Sequence, residues 1–206
     1  MTTVNPWIYS LILPIHRVFI ALYFGQIRII GEENLPVNGP VVLAPKHYSR
    51  YDPLIVSCLS TEPLYYMTHH HEFEESYSWL LERLGAFPVN REKPSISSLR
   101  LPIELLQAKK KLVVFPEGGI VRDQPVRKLK SGLARLVMQA ETLAQDDLTI
   151  PIVPIGLSYK PEAEKGAKVI IKIAPSLLIE EYRQGKDKET ASALTQALEA
   201  ALLANC

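Results

Sequence analysis

The sequence predicts an α/β fold: a single domain with a largely parallel, mixed sheet flanked by helices, preceded by an apolar N-terminal helix that anchors to a membrane. Three observations lead there. Short apolar runs alternate with segments of helical period along most of the chain, the pattern of strand–helix units. Two of the runs, at residues 41–44 and 112–115, are continuously apolar, as strands buried on both faces are. One segment near the N-terminus, WIYSLILPIHRVFIALYF over residues 7–24, is apolar on nearly all sides.

That segment comes first in the chain. A spanning helix needs ~20 mostly apolar residues, and this run is marginal in length. His16 and Arg17 sit inside it, and a central arginine costs ~2.5–3.5 kcal/mol on insertion scales. Pro14 adds a kink. No basic residue precedes the run and no small-residue cleavage site follows it, so a signal peptide fits poorly. The expectation is a helix lying in the interface, with Trp7, Tyr9 and Tyr23 at headgroup level. The alternative is a helix packed on the protein's own core. The segments then divide as 1–24, membrane-associating, and 25–206, the globular domain.

Residues 26–30 read as a strand, 31–40 as a turn-rich connection and 41–44 as a buried strand. Residues 53–59 read as a short helix, 64–68 as a strand, 77–84 as a short helix ended by Gly85, and 86–89 as a strand. An amphipathic helix follows over 95–109, with Ser95 as a candidate cap and Pro102 as a start or kink. Residues 112–115, 152–157 and 169–174 read as strands, and 131–144 as a helix. Asp187 is expected to cap a last helix reaching Leu203.

Composition narrows the class. The 206 residues suit one domain with a real core. Lys plus Arg number 23 against 22 Asp plus Glu, so no bulk charge favours nucleic acid, which is not expected as a partner. Hydrophobic residues at 47% exclude general disorder. Two cysteines, Cys58 and Cys206, give no disulfide framework and suit a reducing compartment.

In open α/β sheets, ligands sit beyond the carboxyl ends of strands. The strand at 41–44 is followed by Pro45-Lys46-His47-Tyr48-Ser49-Arg50-Tyr51-Asp52-Pro53. A loop can fold His47 onto Asp52, leaving the second imidazole nitrogen as a base. Asp52 before Pro53 is equally a good helix cap, and His69–Glu74 and His70–Glu75 repeat the spacing, so the pair alone is weak evidence. Ser49 is a candidate nucleophile that nothing else marks. The strand at 112–115 runs into Phe115-Pro116-Glu117-Gly118-Gly119, where two glycines can aim backbone donors at a phosphate or oxyanion; a plain glycine turn is the alternative. Arg91 could grip a phosphate through two parallel hydrogen bonds. His69-His70-His71 suggests a metal site, but consecutive strand residues point to opposite faces, so no metal is expected there.

In combination these segments resemble the 1-acylglycerol-3-phosphate acyltransferase family, within the wider glycerophospholipid acyltransferases. The resemblance rests on His47 and Asp52 with four residues between, on Gly85-Ala86-Phe87-Pro88-Val89-Asn90-Arg91, on Phe115-Pro116-Glu117-Gly118 and on Ile150-Pro151-Ile152-Val153-Pro154-Ile155, all in order. It covers roughly residues 25 to 160. It implies an enzyme of phospholipid biosynthesis that moves a fatty acyl group from an acyl thioester to a lysophospholipid hydroxyl, 1-acylglycerol 3-phosphate becoming phosphatidic acid. His47 would be the base and Asp52 its orienter, Glu117 would position the acceptor, Gly118 and Gly119 would supply backbone donors, and Arg91 would hold the phosphate. No cofactor is implied: acyl-CoA or acyl-carrier protein is a co-substrate. The site would face the cytoplasm at the membrane surface. One departure stands out. The family continues its third block with Thr-Arg, where Gly119 and Ile120 stand here, so Arg122, Lys128 or Lys130 would replace the missing arginine. Acyl transfer to glycerol 3-phosphate or another lysolipid, hydrolysis through Ser49, and a non-catalytic lipid-binding membrane protein are the rival readings.

Overall fold

The computed structural model describes residues 4–74, 78–89 and 96–206. Seven strands form one sheet: β1 (Gln26–Ile30), β2 (Val41–Pro45), β3 (Leu64–His69), β4 (Ala86–Val89), β5 (Lys111–Val113), β6 (Ile152–Lys160) and β7 (Lys168–Ile173). Their order is β1-β7-β6-β2-β5-β3-β4. Every neighbouring pair is parallel except β6 with β7, so the sheet is largely parallel and mixed. The helices are α1 (Pro6–Tyr23), α2 (Asp52–Ser57), α3 (Ser78–Arg83), α4 (Ile96–Gln107), α5 (Gly132–Thr142) and α6 (Asp187–Asn205).

The continuous apolar strands are explained by two cores. On β2, Val42 and Ala44 face one cluster with Leu106 of α4, Leu136 of α5 and Leu198 of α6. Val41 and Leu43 face the other, with Ile20 of α1 and Ile55 and Val56 of α2. A strand that alternates faces every residue must be apolar throughout when both faces are covered. The end of α6 lies directly on β6 at Gly156, where any Cβ would come within 2.0 Å of the Asn205 carbonyl oxygen. A glycine is the residue that admits that approach.

Several expectations change. Helix α4 runs through a buried Pro102, and the Ser95 cap lies outside the described residues. Lys186, not Asp187, precedes α6, and Asp187 lies in its first turn, where a carboxylate suits the helix dipole. Strand β6 continues three residues past the expected end, carried by its antiparallel pairing with β7.

Helix α1 is two-faced. Ile20 and Phe24 are core residues, and Tyr9 is buried with its hydroxyl donating to the Glu62 carbonyl at 3.0 Å. Tyr23 pairs its hydroxyl with that of Tyr51 at 2.9 Å. Both tyrosine hydroxyls, expected at headgroup level, are instead bonded within the protein. His16 and Arg17 also have partners in the protein. His16 Nε2 lies 2.8 Å from both the Leu54 carbonyl and Ser57 Oγ, and Arg17 donates to the Cys58 and Ser60 carbonyls at 3.2 and 3.0 Å. The two polar residues inside the apolar run therefore dock α1 on the end of α2. The opposite face carries Trp7, Leu11, Ile15, Val18, Phe19 and Leu22, all exposed, with Trp7 at 85% and Leu22 at 78%. No described helix is long and apolar enough to cross a membrane.

Candidate active site

Strand β2 delivers its last residue, Pro45, to the carboxyl edge near the middle of the sheet, between β6 and β5. The chain then loops through Lys46–Tyr51 into α2, whose first residue is Asp52. His47 Nδ1 lies 2.9 Å from Asp52 Oδ2. A carboxylate only accepts, so Nδ1 carries the proton and Nε2 keeps its lone pair. The backbone amides of Tyr48 and Ser49 donate to the same oxygen at 2.6 and 2.8 Å. Tyr159 donates its hydroxyl to Oδ1 at 2.6 Å. Asp52 is fully buried, and these four donors together offset the cost of that burial. Its carboxylate turns back to the preceding loop and makes no cap bond to its own helix, so the capping alternative does not describe it. Burial first, and the Asp52 carboxylate second, push the Tyr159 hydroxyl well above its ordinary range, so it stays a donor. The imidazole of His47 stacks on Phe115, ring centroids 4.1 Å apart, which fixes the ring plane.

A second buried carboxylate ties the loop down. Glu117 accepts from Lys46 Nζ at 2.8 Å, from the His47 amide at 2.9 Å and from the Arg127 amide at 2.9 Å. Lys46 also donates to the Val121 carbonyl, and the Val121 amide to the His47 carbonyl. Glu117 therefore joins its own turn to the histidine loop. Its side chain is fully buried, and the contacts it shows are to these protein donors. The Gly118 amide closes a turn onto the Phe115 carbonyl at 3.1 Å with φ of 72°, and so is spent within the loop; Gly119 lines the cavity described next.

His47 opens onto a cavity of about 600 Å³. Tyr9, Ile12, Leu13 and His16 of α1 line it, together with Leu54, Met67, Phe115, Gly119 and Ile120. Arg50, in the loop between His47 and Asp52, also lines it. Arg122, Lys128 and Lys130 are exposed and outside the lining; Arg122 donates to the Tyr48 carbonyl at 3.1 Å and lies over the Tyr48 ring. Arg91 lies outside the described residues. Ser49 is buried, its Oγ accepting from the Tyr51 amide, which leaves no room for a nucleophile's role. Sequence reasoning passed over Lys46, Arg50 and Tyr159. Arg50 was legible as the one arginine inside the histidine–aspartate spacing. Tyr159 lies 107 positions from its partner, and no local pattern marks it.

Known proteins resemble this chain in sequence and fold. The family model described as "Acyltransferase" matches residues 26–158. A 1-acyl-sn-glycerol-3-phosphate acyltransferase of Bacillus subtilis is 31% identical over 182 residues, 84% of this chain and 85% of that protein. One of the same name from Streptococcus pneumoniae is 31% identical over 82 residues, 38% of this chain and 31% of that protein. The crystal structure of the 1-acyl-sn-glycerophosphate (LPA) acyltransferase, PlsC, from Thermotoga maritima superposes with a TM-score of 0.71 at 16% identity, over 95% of this chain and 78% of that one. With the model spanning well over half of its length, and with a relative aligned over most of it, this chain belongs to the acyltransferase family.

Proposed function

We propose that this protein transfers a fatty acyl group from an acyl thioester to the free hydroxyl of 1-acylglycerol 3-phosphate, giving phosphatidic acid. The observation that carries the reading is a buried-carboxylate–histidine pair opening onto an apolar cavity walled by α1. A thioester has a good leaving group, and the acceptor hydroxyl is the poor nucleophile. His47 Nε2 takes the hydroxyl proton as the oxygen attacks the thioester carbonyl. The tetrahedral adduct then expels the thiolate, and the C–O ester bond replaces the C–S bond. Asp52 holds the tautomer and stabilises the imidazolium, and such a base contributes typically ~10²–10⁴ in rate. The cavity takes an acyl chain, its volume lying in the range of ligand pockets. Arg50, with Arg91, is the cation assigned to the phosphate.

The exposed stripe of α1 lays the protein on the cytoplasmic membrane surface, where the lysolipid partitions. Each large side chain moved out of water contributes roughly 1.5–3 kcal/mol. Trp7→Ser, Leu11→Ser and Leu22→Ser together should therefore weaken vesicle binding by more than about a hundredfold. These positions face away from the core, so folding is spared; unchanged sedimentation with vesicles would place the anchor elsewhere.

Purified protein in vesicles with a labelled acyl thioester, offered 1-acylglycerol 3-phosphate, glycerol 3-phosphate and a lysophosphatidylcholine, tests the reaction. Phosphatidic acid should form, and folded His47→Ala protein should form none. Near-normal turnover by that variant, or product from none of the acceptors, would remove the proposal.

A further inference from the structure

Strand β3 ends at His69, and the next four residues, His70–Phe73, form a 3-10 turn. The alternation of side chains across a strand, which argued against a shared ion, therefore stops one residue into the triplet. All three imidazoles gather on one side: ring centroids are 4.5 Å apart for His69 and His70, 4.7 Å for His69 and His71, and 4.0 Å for His70 and His71. One ring nitrogen from each lies within 4.8 Å of the others. Nitrogen ligands around a tetrahedral zinc at about 2.0–2.1 Å stand roughly 3.4 Å from one another; the three nitrogens lie close to that spacing, and the rings, now 22–35° from parallel, must also turn for their in-plane lone pairs to converge on one ion.

His69 Nδ1 accepts a long hydrogen bond from the His71 amide at 3.4 Å, which ligation by His69 would replace. Two details favour a ligand over simple stacking. His71 Nδ1 lies 3.2 Å from Glu74 Oε1. The carboxylate can only accept, so the proton sits on Nδ1 and the lone pair on Nε2, the arrangement in which a carboxylate behind a histidine orients it toward a metal. Nδ1 of His70 is buried with no hydrogen-bond partner among the described residues. An orphaned polar atom of this kind costs stability that a bound ion would offset.

We propose that His69, His70 and His71 form a binding site for one divalent transition metal of the zinc class, with Glu74 as the positioning carboxylate behind His71. Three imidazoles favour zinc, cobalt, nickel or copper over magnesium or calcium, which take oxygen. His69 also lines the cavity that holds His47, so the ion would sit at the cavity wall. The site stands on its own geometry and does not depend on the reaction.

Titration of the full-length, metal-stripped protein with Co²⁺ tests it by the visible spectrum of nitrogen-ligated cobalt, with Zn²⁺ competing and Mg²⁺ as control. One Co²⁺ per chain should bind, Zn²⁺ should displace it, and Mg²⁺ should not. His70→Ala and His71→Ala should each weaken binding by more than about tenfold, and Glu74→Gln by about tenfold. Glu74 is largely exposed, so that variant should fold normally. His47→Ala should bind as the parent does. The same chain unfolded in urea should bind at least about tenfold more weakly, since the fold gathers the rings. Equal binding by the urea-unfolded chain, or by a folded protein with all three histidines replaced, would overturn the proposal.

Discussion

Replacing Asp52 by asparagine separates the charge of this residue from its geometry. Oδ2 accepts from the His47 ring and from two backbone amides, whereas among the described residues Oδ1 accepts only from the Tyr159 hydroxyl. An amide has one oxygen. Placing its NH₂ group at the Oδ2 position would set it against three donors, two of them immovable N–H groups. Placing it at the Oδ1 position sets it against a hydroxyl, which can rotate to accept. The variant should thus keep its carbonyl on His47 and the same tautomer, and lose the negative charge alone. An ion pair with charge centres about 4 Å apart is worth about 4 kcal/mol at an effective dielectric near 20, and the dipole of the amide recovers part of that. A rise of about 2–4 kcal/mol in the barrier lowers kcat by roughly thirtyfold to a thousandfold. The assay is turnover of labelled acyl thioester, with thermal melting to show that the fold persists. Turnover within about threefold of the parent would mean that the imidazolium is not stabilised by this carboxylate. A loss beyond about 10⁴, the size expected when the tautomer is wrong, would mean that the amide sits the other way round.

Three further outcomes follow from the same contacts. Glu117→Ala leaves Lys46 buried without its partner, which costs about 3–5 kcal/mol; calorimetry should show a fall in Tm of roughly 10 °C, and the Lys46→Met, Glu117→Met double variant should recover much of it. Tyr159→Phe removes one donor from a buried carboxylate and should lower kcat more than it changes KM for either substrate; a change in KM alone would contradict a positioning role acting through Asp52. Tyr159 and Tyr66 both have hydroxyls raised above the ordinary value near 10, chiefly by burial. Their contribution is complete below pH 10 and is lost as pH rises above it, because the unfolded chain then releases protons that the folded one retains. Unfolding free energy should fall by about 1.4 kcal/mol per pH unit for each tyrosine, and Tyr159→Phe should flatten the alkaline slope by one such increment.

The parallel half of the sheet was legible because its strands feed two cores and so read as apolar runs. Helix ends and the last turns of β6 were not. Ser158, Tyr159 and Lys160 alternate in polarity, and only the pairing with β7 makes them a strand. The histidine–aspartate loop was legible as spacing, while its closure depended on contacts from β6 and from the turn after β5 that span up to 107 positions. Glu117 and Gly118 were legible as a turn, but their contacts were not: the carboxylate reaches the His47 amide 70 positions away, and the glycine amide closes the turn onto Phe115. The alternation of side chains expected across the histidine triplet stops at its first residue, because the strand ends there.

The grip of α1 on α2 has a consequence for where chemistry happens. Helix α2 carries Asp52 at its first residue and Ser57 at its last, and His16 holds Ser57. At about 1.5 Å per residue these ends are separated by roughly 7.5 Å. A single short, stiff strut thus connects the helix proposed to lie on lipid to the carboxylate that aims the base. On the proposed membrane surface, the altitude of His47 is set by helix geometry, four polar contacts and the core packing of Ile20 and Phe24, not by how deeply a flexible tether happens to float.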